Sequence, residues 1–490
     1  MVALKQKQIE KYESTPVVFI PYEEFEGEKT NRTAQKNAFL NNEEYSPDYD
    51  YPRLDNLRFN DKVTKEKTAV YQAMLELEAA KLQPGANLAE LNLYVDFYTR
   101  RLQMIMLAEA ARDLKDAGTS SEWEVAEDTF MTLNVELYGE FDVPKYQGMM
   151  STEYKKATEF EPTSERAQKI KDQLLGYLEG AKSDQEVEKP LMDQESLQKL
   201  HDVIVERFKD TLSAVPDTDD SVYYDAKQIV DILNDTFKAN GLAKRGWKAK
   251  VDPYKTVPAT DPDEKVKTIA IPSDTRRNAR EIRRLAVHEE EDHARMAQNG
   301  LDTGLLLLAK GTANNPDVEE GLGVLFECAL EGNWDNASFK RARDRYITAG
   351  LALGSETQAP RDARQVHDVL WRILAIRNST DGDITPEGIK KARLEAYTHV
   401  ENAFRGTEFW MRGMIYMKLK LYYEGLEKNA KFFLDNLDDL NSAIDVALSG
   451  KSDHTNEAER NTVNDMIKHK RRRVSYRVKR TLSNIVNKRN

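Results

Sequence analysis

Between Ile282 and Met296 an amphipathic stripe carries two residues that do not suit an apolar interior. Ile282, Leu285, Ala286, Glu289, His293 and Met296 recur at helical spacing on one face, so a carboxylate and an imidazole interrupt the apolar stripe. Burying either group bare is costly, and any fold of this chain must bring partners to both. The run itself reads His288-Glu289-Glu290-Glu291-Asp292-His293, a His-Glu-x-x-x-His pattern. Its helix is expected to begin near Ser273 or Asp274 and to stop at Asn299-Gly300. On a regular α-helix, residues five apart point about 140° from each other, so the two imidazoles share a target only if a turn loosens. The spacing therefore predicts a π distortion between Glu289 and His293.

Two imidazoles and a neighbouring carboxylate suggest a metal. Zinc takes nitrogen, sulfur or carboxylate ligands, and a catalytic zinc keeps one position open for water. A third donor is expected from Asp317-Val318-Glu319-Glu320-Gly321-Leu322-Gly323, where Asn315 and Pro316 suit a helix start. The helix body, Leu322 to Leu330, is apolar on nearly every face; both Glu319 and Glu320 enter it, and periodicity does not choose between them. Glu289, beside a ligand, is the expected general base. The competing reading is a solvated helix whose acidic run pairs with Arg283, Arg284 and Arg295.

Taken together, these motifs resemble the microtubule-associated tyrosine carboxypeptidases and their bacterial relatives, the flavohaemoglobin-expression-modulating proteins named for a Gln-Glu-Gly-Leu-Ala motif. The matching positions are His288-Glu289 to His293, Asn299-Gly300 and Glu319-Glu320-Gly321-Leu322-Gly323. Phe404-Arg405-Gly406 followed by a helix containing Tyr416, and Leu137-Tyr138-Gly139 upstream, add to the likeness, which spans roughly residues 50 to 430. The resemblance implies a zincin-like catalytic domain and one zinc per chain, held by His288, His293 and Glu320, with Glu289 as base. The chain departs from the family in the three acidic residues inside the motif, in Glu319 for Gln, and in Met411-Arg412 before Tyr416. These changes bear on substrate preference and leave the metal residues in place.

Removing a C-terminal residue requires a group to hold the terminal carboxylate, a task suited to arginine. Arg405 and Arg412 are the candidates, and Tyr416 is the candidate donor to the oxyanion. The resemblance implies zinc-dependent carboxypeptidase action on a peptide or protein C-terminus, with tyrosine or another aromatic residue as the one removed. A helical di-iron carboxylate protein is one alternative, because Glu290-x-x-His293 has the spacing those bundles use, although they use it twice. A non-catalytic binding protein that retains the fold is the other.

The rest of the chain supports a helix-rich α+β fold. Four segments are expected: an extended N-terminal arm (1–62), a helical N-terminal domain (63–190), the metallopeptidase domain (191–465) and a basic tail (466–490). Pro16, Pro21, Pro47 and Pro52 break up the arm, whose run Pro16 to Ile20 could form a strand. Trp247 to Val251 and Val266 to Ile271 read as a hairpin or small sheet beside the motif helix. Long helices are expected over Arg364 to Arg377, Pro386 to Ala403 and Phe409 to Leu437. Glu395 and His399 share a helix face and read as a helical side-chain pair. Cys328, the single cysteine, reads as core packing and excludes an internal disulfide. Together with a charged segment from Met1 to Tyr12, it points to the cytoplasm.

Net charge is −12, and residues 466–490 hold ten Lys or Arg with no Asp or Glu, which leaves −22 on the remainder. Such a body repels nucleic acid, and no membrane span is expected. The tail could bind an anionic partner or dock on the acidic body.

Overall fold

The computed structural model describes residues 24–57, 60–179, 191–255, 257–261 and 266–468. The run Pro16 to Ile20, the boundary near residues 180–189 and nearly all of the basic tail lie outside the described residues. Helices dominate, and their starts are written in the sequence. Thr119 with Glu122, Asp225 with Gln228, Asn278 with Glu281 and Asp362 with Gln365 each form a reciprocal capping box. Pro316 and Pro386 occupy first-turn positions where a missing N–H costs nothing.

Among the described residues, five short strands make two sheets. β1 (Tyr223–Asp225) pairs antiparallel with β5 (Arg276–Asn278). β2 (Lys248–Asp252), β3 (Ala259–Asp261) and β4 (Thr268–Pro272) form a sheet in the order β2-β4-β3. The two strands expected as a possible hairpin are parallel neighbours, and β3, which runs antiparallel to β4, forms the edge. Burial dictates this arrangement. β4 is buried on both faces, and Ile269 and Ile271 pack with Ile229, Leu233 and Phe237 of the helix Ala226–Ala239.

The largest core joins residues far apart in the described chain. Phe25, Leu107, Phe130 and Tyr146 pack with Tyr346, Trp371, Tyr416 and Tyr423. A second core surrounds the helix Pro316–Glu331, which lies against Leu421–Leu434 and Gln194–Arg207. That contact is close because Gly321 faces Gly425: a Cβ on Gly321 would lie 2.0 Å from the Gly425 carbonyl carbon. Among the described residues no helix is long and apolar enough to cross a membrane.

Three expectations need correction. The arm is not extended throughout: Lys29–Leu40 is a helix, and its Arg32 pairs with Glu401 at 2.9 Å. The helix expected from Phe409 begins only at Leu421, after a 3-10 turn at Met417–Lys420. Gly406 and Gly413 adopt φ of 75°, left-handed conformations that break a helix, and Tyr416 has extended backbone. The motif helix starts at Ala279, capped by Asn278, and ends at Thr303 before Gly304. Gly300 lies inside it, where a side chain would strike the backbone of Leu308.

Candidate metal centre

Residues Val287–Ala294 are a π-helix between two α-helical stretches, Ala279–Ala286 and Arg295–Thr303. This is the distortion that the five-residue spacing requires, because i→i+5 hydrogen bonds bring residues five apart onto one side. The rings of His288 and His293 stand 4.8 Å apart, centroid to centroid. Glu320 reaches the same point from the helix Pro316–Glu331. One ligand-type atom from each of the three residues lies within 4.8 Å of the others. Glu320, not Glu319, completes the trio.

Glu319 instead lies behind His293, its Oε1 2.9 Å from Nδ1. Glu327, two turns along the same helix, does the same for His288 at 2.6 Å. Both carboxylates are themselves held. Lys451 and Asn315 donate to Glu319, and the Ser338 hydroxyl donates to Glu327. The His288 Nδ1 contact is a hydrogen bond, which leaves Nε2 for an ion and is the arrangement that fixes the tautomer of metal-binding histidines; at His293 the carboxylate stands at ion-pair distance. The donor set therefore fits zinc: two imidazoles and one carboxylate, the ligand types that a zinc site uses.

The electrostatics agree. Burial opposes ionisation of Glu320, but Lys418, 3.3 Å away, and the two histidines hold its pKa down to about 2. Glu327 is likewise held down to about 2, where His288 outweighs burial. Burial lowers the pKa of both imidazoles, yet Glu327 raises that of His288, and Glu319 raises that of His293 to about 10. Asp292 has both carboxylate oxygens buried with no hydrogen-bond partner, 3.7 Å from His293 Nδ1.

The acidic run is not a solvated face. Glu289, Glu290, Glu291 and Asp292 are between 0% and 8% exposed. Glu290 accepts from Thr236 at 2.5 Å and Asn240 at 2.9 Å, so Glu290 and His293 have different partners. Glu291 accepts from Thr211 and Arg295. Glu289 accepts from Thr260 Oγ1 at 2.6 Å, which ties the motif helix to edge strand β3. Gly323 admits His288: a Cβ there would sit 2.7 Å from the ring.

The remaining sequence candidates make other contacts. Arg405 is buried, donates to Asn402 at 3.1 Å, and lines a narrow crevice with Arg32, Tyr49, Tyr51 and Glu401. Arg412 is a surface residue 3.9 Å from Asp362. Neither the crevice nor that ion pair includes a residue of the trio. The Tyr416 phenol accepts from Tyr138 at 3.0 Å, and the ring packs edge-on against Phe25. Lys418, two residues on, is the group that reaches Glu320.

Sequence reasoning missed Thr260, Glu327, Lys418 and Lys451. Glu327 left a signal, the one carboxylate in the apolar stretch Leu322 to Leu330, seven residues after Glu320. The other three left none. Arg341 was also missed. Its side chain is exposed, yet dense surroundings and the positive charges of Arg345, Arg277 and Arg284 lower its pKa, while Glu327 attracts it.

A distorted helix bearing His-Glu-x-x-x-His, a carboxylate from a second helix and a small sheet at its side have the form of a metallopeptidase-type centre. Residues 185–354 match the family model described as microtubule-associated tyrosine carboxypeptidase, and the chain carries that family's domain. The match contains the trio, Glu289, Glu327 and the sheet, and stops before Arg405, Tyr416 and Lys418. No curated protein matches the chain significantly.

Proposed function

We propose that this protein is a zinc-dependent carboxypeptidase that removes a C-terminal residue, tyrosine or another aromatic, from a peptide or protein. The observation that carries the reading is the meeting of His288, His293 and Glu320 beside Glu289. Zinc bound there would supply an acidified water and a Lewis acid for the scissile carbonyl. The chain's own residues do the rest. Thr260 occupies one oxygen of Glu289, which leaves the other to take a proton from water and return it to the leaving amine. Glu327 and Glu319 hold the two rings in register. Lys418 offsets the charge of Glu320.

The terminal carboxylate needs an accessible cation. Arg405 is enclosed and Arg412 pairs with Asp362, whereas Arg341 is exposed and its charge reaches Glu327, so Arg341 is the proposed holder of the terminal carboxylate. Tyr416 is retained as oxyanion donor on the family resemblance, and Tyr416→Phe tests it. The di-iron alternative is weakened by Glu290, whose partners are Thr236 and Asn240.

The test is release of the last residue from synthetic peptides carrying a free or an amidated C-terminus. The reading expects hydrolysis of the free-acid peptides alone and its loss in Glu289→Gln with metal retained. Hydrolysis that survives Glu289→Gln would sink the mechanism. Equal cleavage of amidated peptides would replace carboxypeptidase with endopeptidase action.

A further inference from the structure

A second group of ligand-type side chains lies outside the trio. Asp344, on the helix Ala337–Leu353, meets Glu395 and His399, on the helix Pro386–Ala403. One carboxylate oxygen from each acid and one ring nitrogen of His399 all lie within 4.8 Å of one another. The i, i+4 spacing of Glu395 and His399 puts both on the helix face that packs toward Asp344.

His399 is the exception among the described histidines. His201, His367 and His454 each place a ring nitrogen 2.8–3.0 Å from an oxygen of the protein, and His288 and His293 each have a carboxylate. His399 is 5% exposed, and among the described residues neither of its nitrogens has a hydrogen-bond partner. Glu395, half-buried, makes neither a hydrogen bond nor an ion pair within 4.0 Å. The pair expected between them does not form. A buried imidazole without a partner is costly, and so is a carboxylate left without one beside a second carboxylate.

We propose that Asp344, Glu395 and His399 form a second metal site, for a first-row divalent cation, that clamps the helix Pro386–Ala403 to the helix Ala337–Leu353. Two carboxylates and a neutral imidazole match the charge of such an ion, and one nitrogen with two oxygens suits zinc or manganese. Asp344 already has an outer partner, because Arg377 Nη1 donates to its two oxygens at 2.7 and 2.9 Å. Such a contact orients a ligating carboxylate. The other nearby cations are Arg341, Arg345 and Lys391, and their charges reach His399 or Glu395. None of them takes the place of an ion: Arg345 lies over the Tyr422 ring at 3.8 Å, and no guanidinium or ammonium is within ion-pair distance of Glu395. Burial first, and these arginines after it, hold the His399 pKa down to about 4, which keeps the imidazole in its ligand form at neutral pH.

The site shares no ligand with the proposed peptidase centre, and the test separates the two. The full chain is purified, dialysed with ZnCl2 or with MnCl2, and its metal content measured after gel filtration, beside His288→Ala, His399→Gln and Glu395→Gln. The proposal expects one equivalent fewer in His399→Gln and in Glu395→Gln than in the wild type, whatever His288→Ala loses. In the His288→Ala background, added metal should raise the melting temperature, and the rise should vanish on adding Glu395→Gln. The Glu395→Gln variant, nearly isosteric, stands in if His399→Gln does not fold. One equivalent that is lost in His288→Ala and kept in both other variants overturns the second site and leaves the peptidase reading intact. One that is lost in Glu395→Gln and kept in His288→Ala supports the second site and removes the first.

Discussion

Replacing Glu327 by Gln isolates what the carboxylate behind His288 contributes. Glutamine has the same shape, and its Oε1 can still accept the Nδ1 proton that Glu327 takes at 2.6 Å. Ser338, whose hydroxyl now donates to the second oxygen, can rotate to accept from the new amide. The ring therefore stays in place while the charge is lost. A hydrogen bond to a charged group is worth about 1.5–3 kcal/mol against about 1 for a neutral one. Burial makes the difference felt, because Glu327 is held ionised with its pKa down at about 2. Outer partners of ligating histidines typically govern metal affinity by about 10- to 100-fold. Glu327→Gln should thus weaken zinc binding by about that factor, or roughly 1.4–2.7 kcal/mol, with the fold unchanged. Competition against a chelator of known affinity measures it, with near-ultraviolet circular dichroism as the check on folding. If zinc affinity is the same in Glu327→Gln and collapses in Glu320→Ala, the charge behind His288 is not part of how the site works.

Four further outcomes follow from the same geometry. Thr260→Val removes the hydroxyl that holds Glu289, and turnover should fall by about 10-fold or more with metal content unchanged, as steady-state kinetics and metal analysis will read. Gly321→Ala would place a methyl 2.0 Å from the Gly425 backbone, so thermal unfolding should show a loss of at least about 1–3 kcal/mol. Glu153 is buried against Arg343 at 2.7 Å and Arg377 at 3.4 Å; burial opposes its ionisation, but the arginines hold its pKa down to about 2. Its folded pKa is below its unfolded one, so it adds stability above pH 4.5 that is lost as the pH falls toward 2. The gap in urea stability between wild type and Glu153→Gln should be roughly 3 kcal/mol at pH 6 and should close with acid. Arg341→Gln should raise KM for free-acid peptides more than it lowers kcat, and an unchanged KM would remove Arg341 from substrate binding.

The motif helix was the most legible part of the chain. A carboxylate and an imidazole on an apolar stripe required buried partners, and the five-residue spacing required a π-helix; both follow from local geometry. The choice of Glu320 over Glu319 was not local, because both begin a buried helix and only the approach to His288 and His293 separates them. Gly321 and Gly323 set that approach, one against Gly425 and one against His288. The segment around Met411, Met414 and Ile415 reads as a helix because most of its positions are apolar. The left-handed Gly413 decides otherwise, and periodicity does not weigh it. Lys418 and Lys451 come from far along the chain, and nothing near them in sequence marks them as partners of Glu320 and Glu319. The roles expected of Arg405 and Arg412 came from the residue type a carboxylate needs, and residue type carries no information on depth.

The central claim is that His288, His293 and Glu320 hold zinc. Crystals of the zinc-loaded protein, measured on both sides of the zinc absorption edge, test it most directly. The account predicts an anomalous peak about 2.0–2.2 Å from a nitrogen of each histidine and an oxygen of Glu320, with Glu289 outside that distance. No peak among these residues, or one that takes Glu319 in place of Glu320, would contradict it.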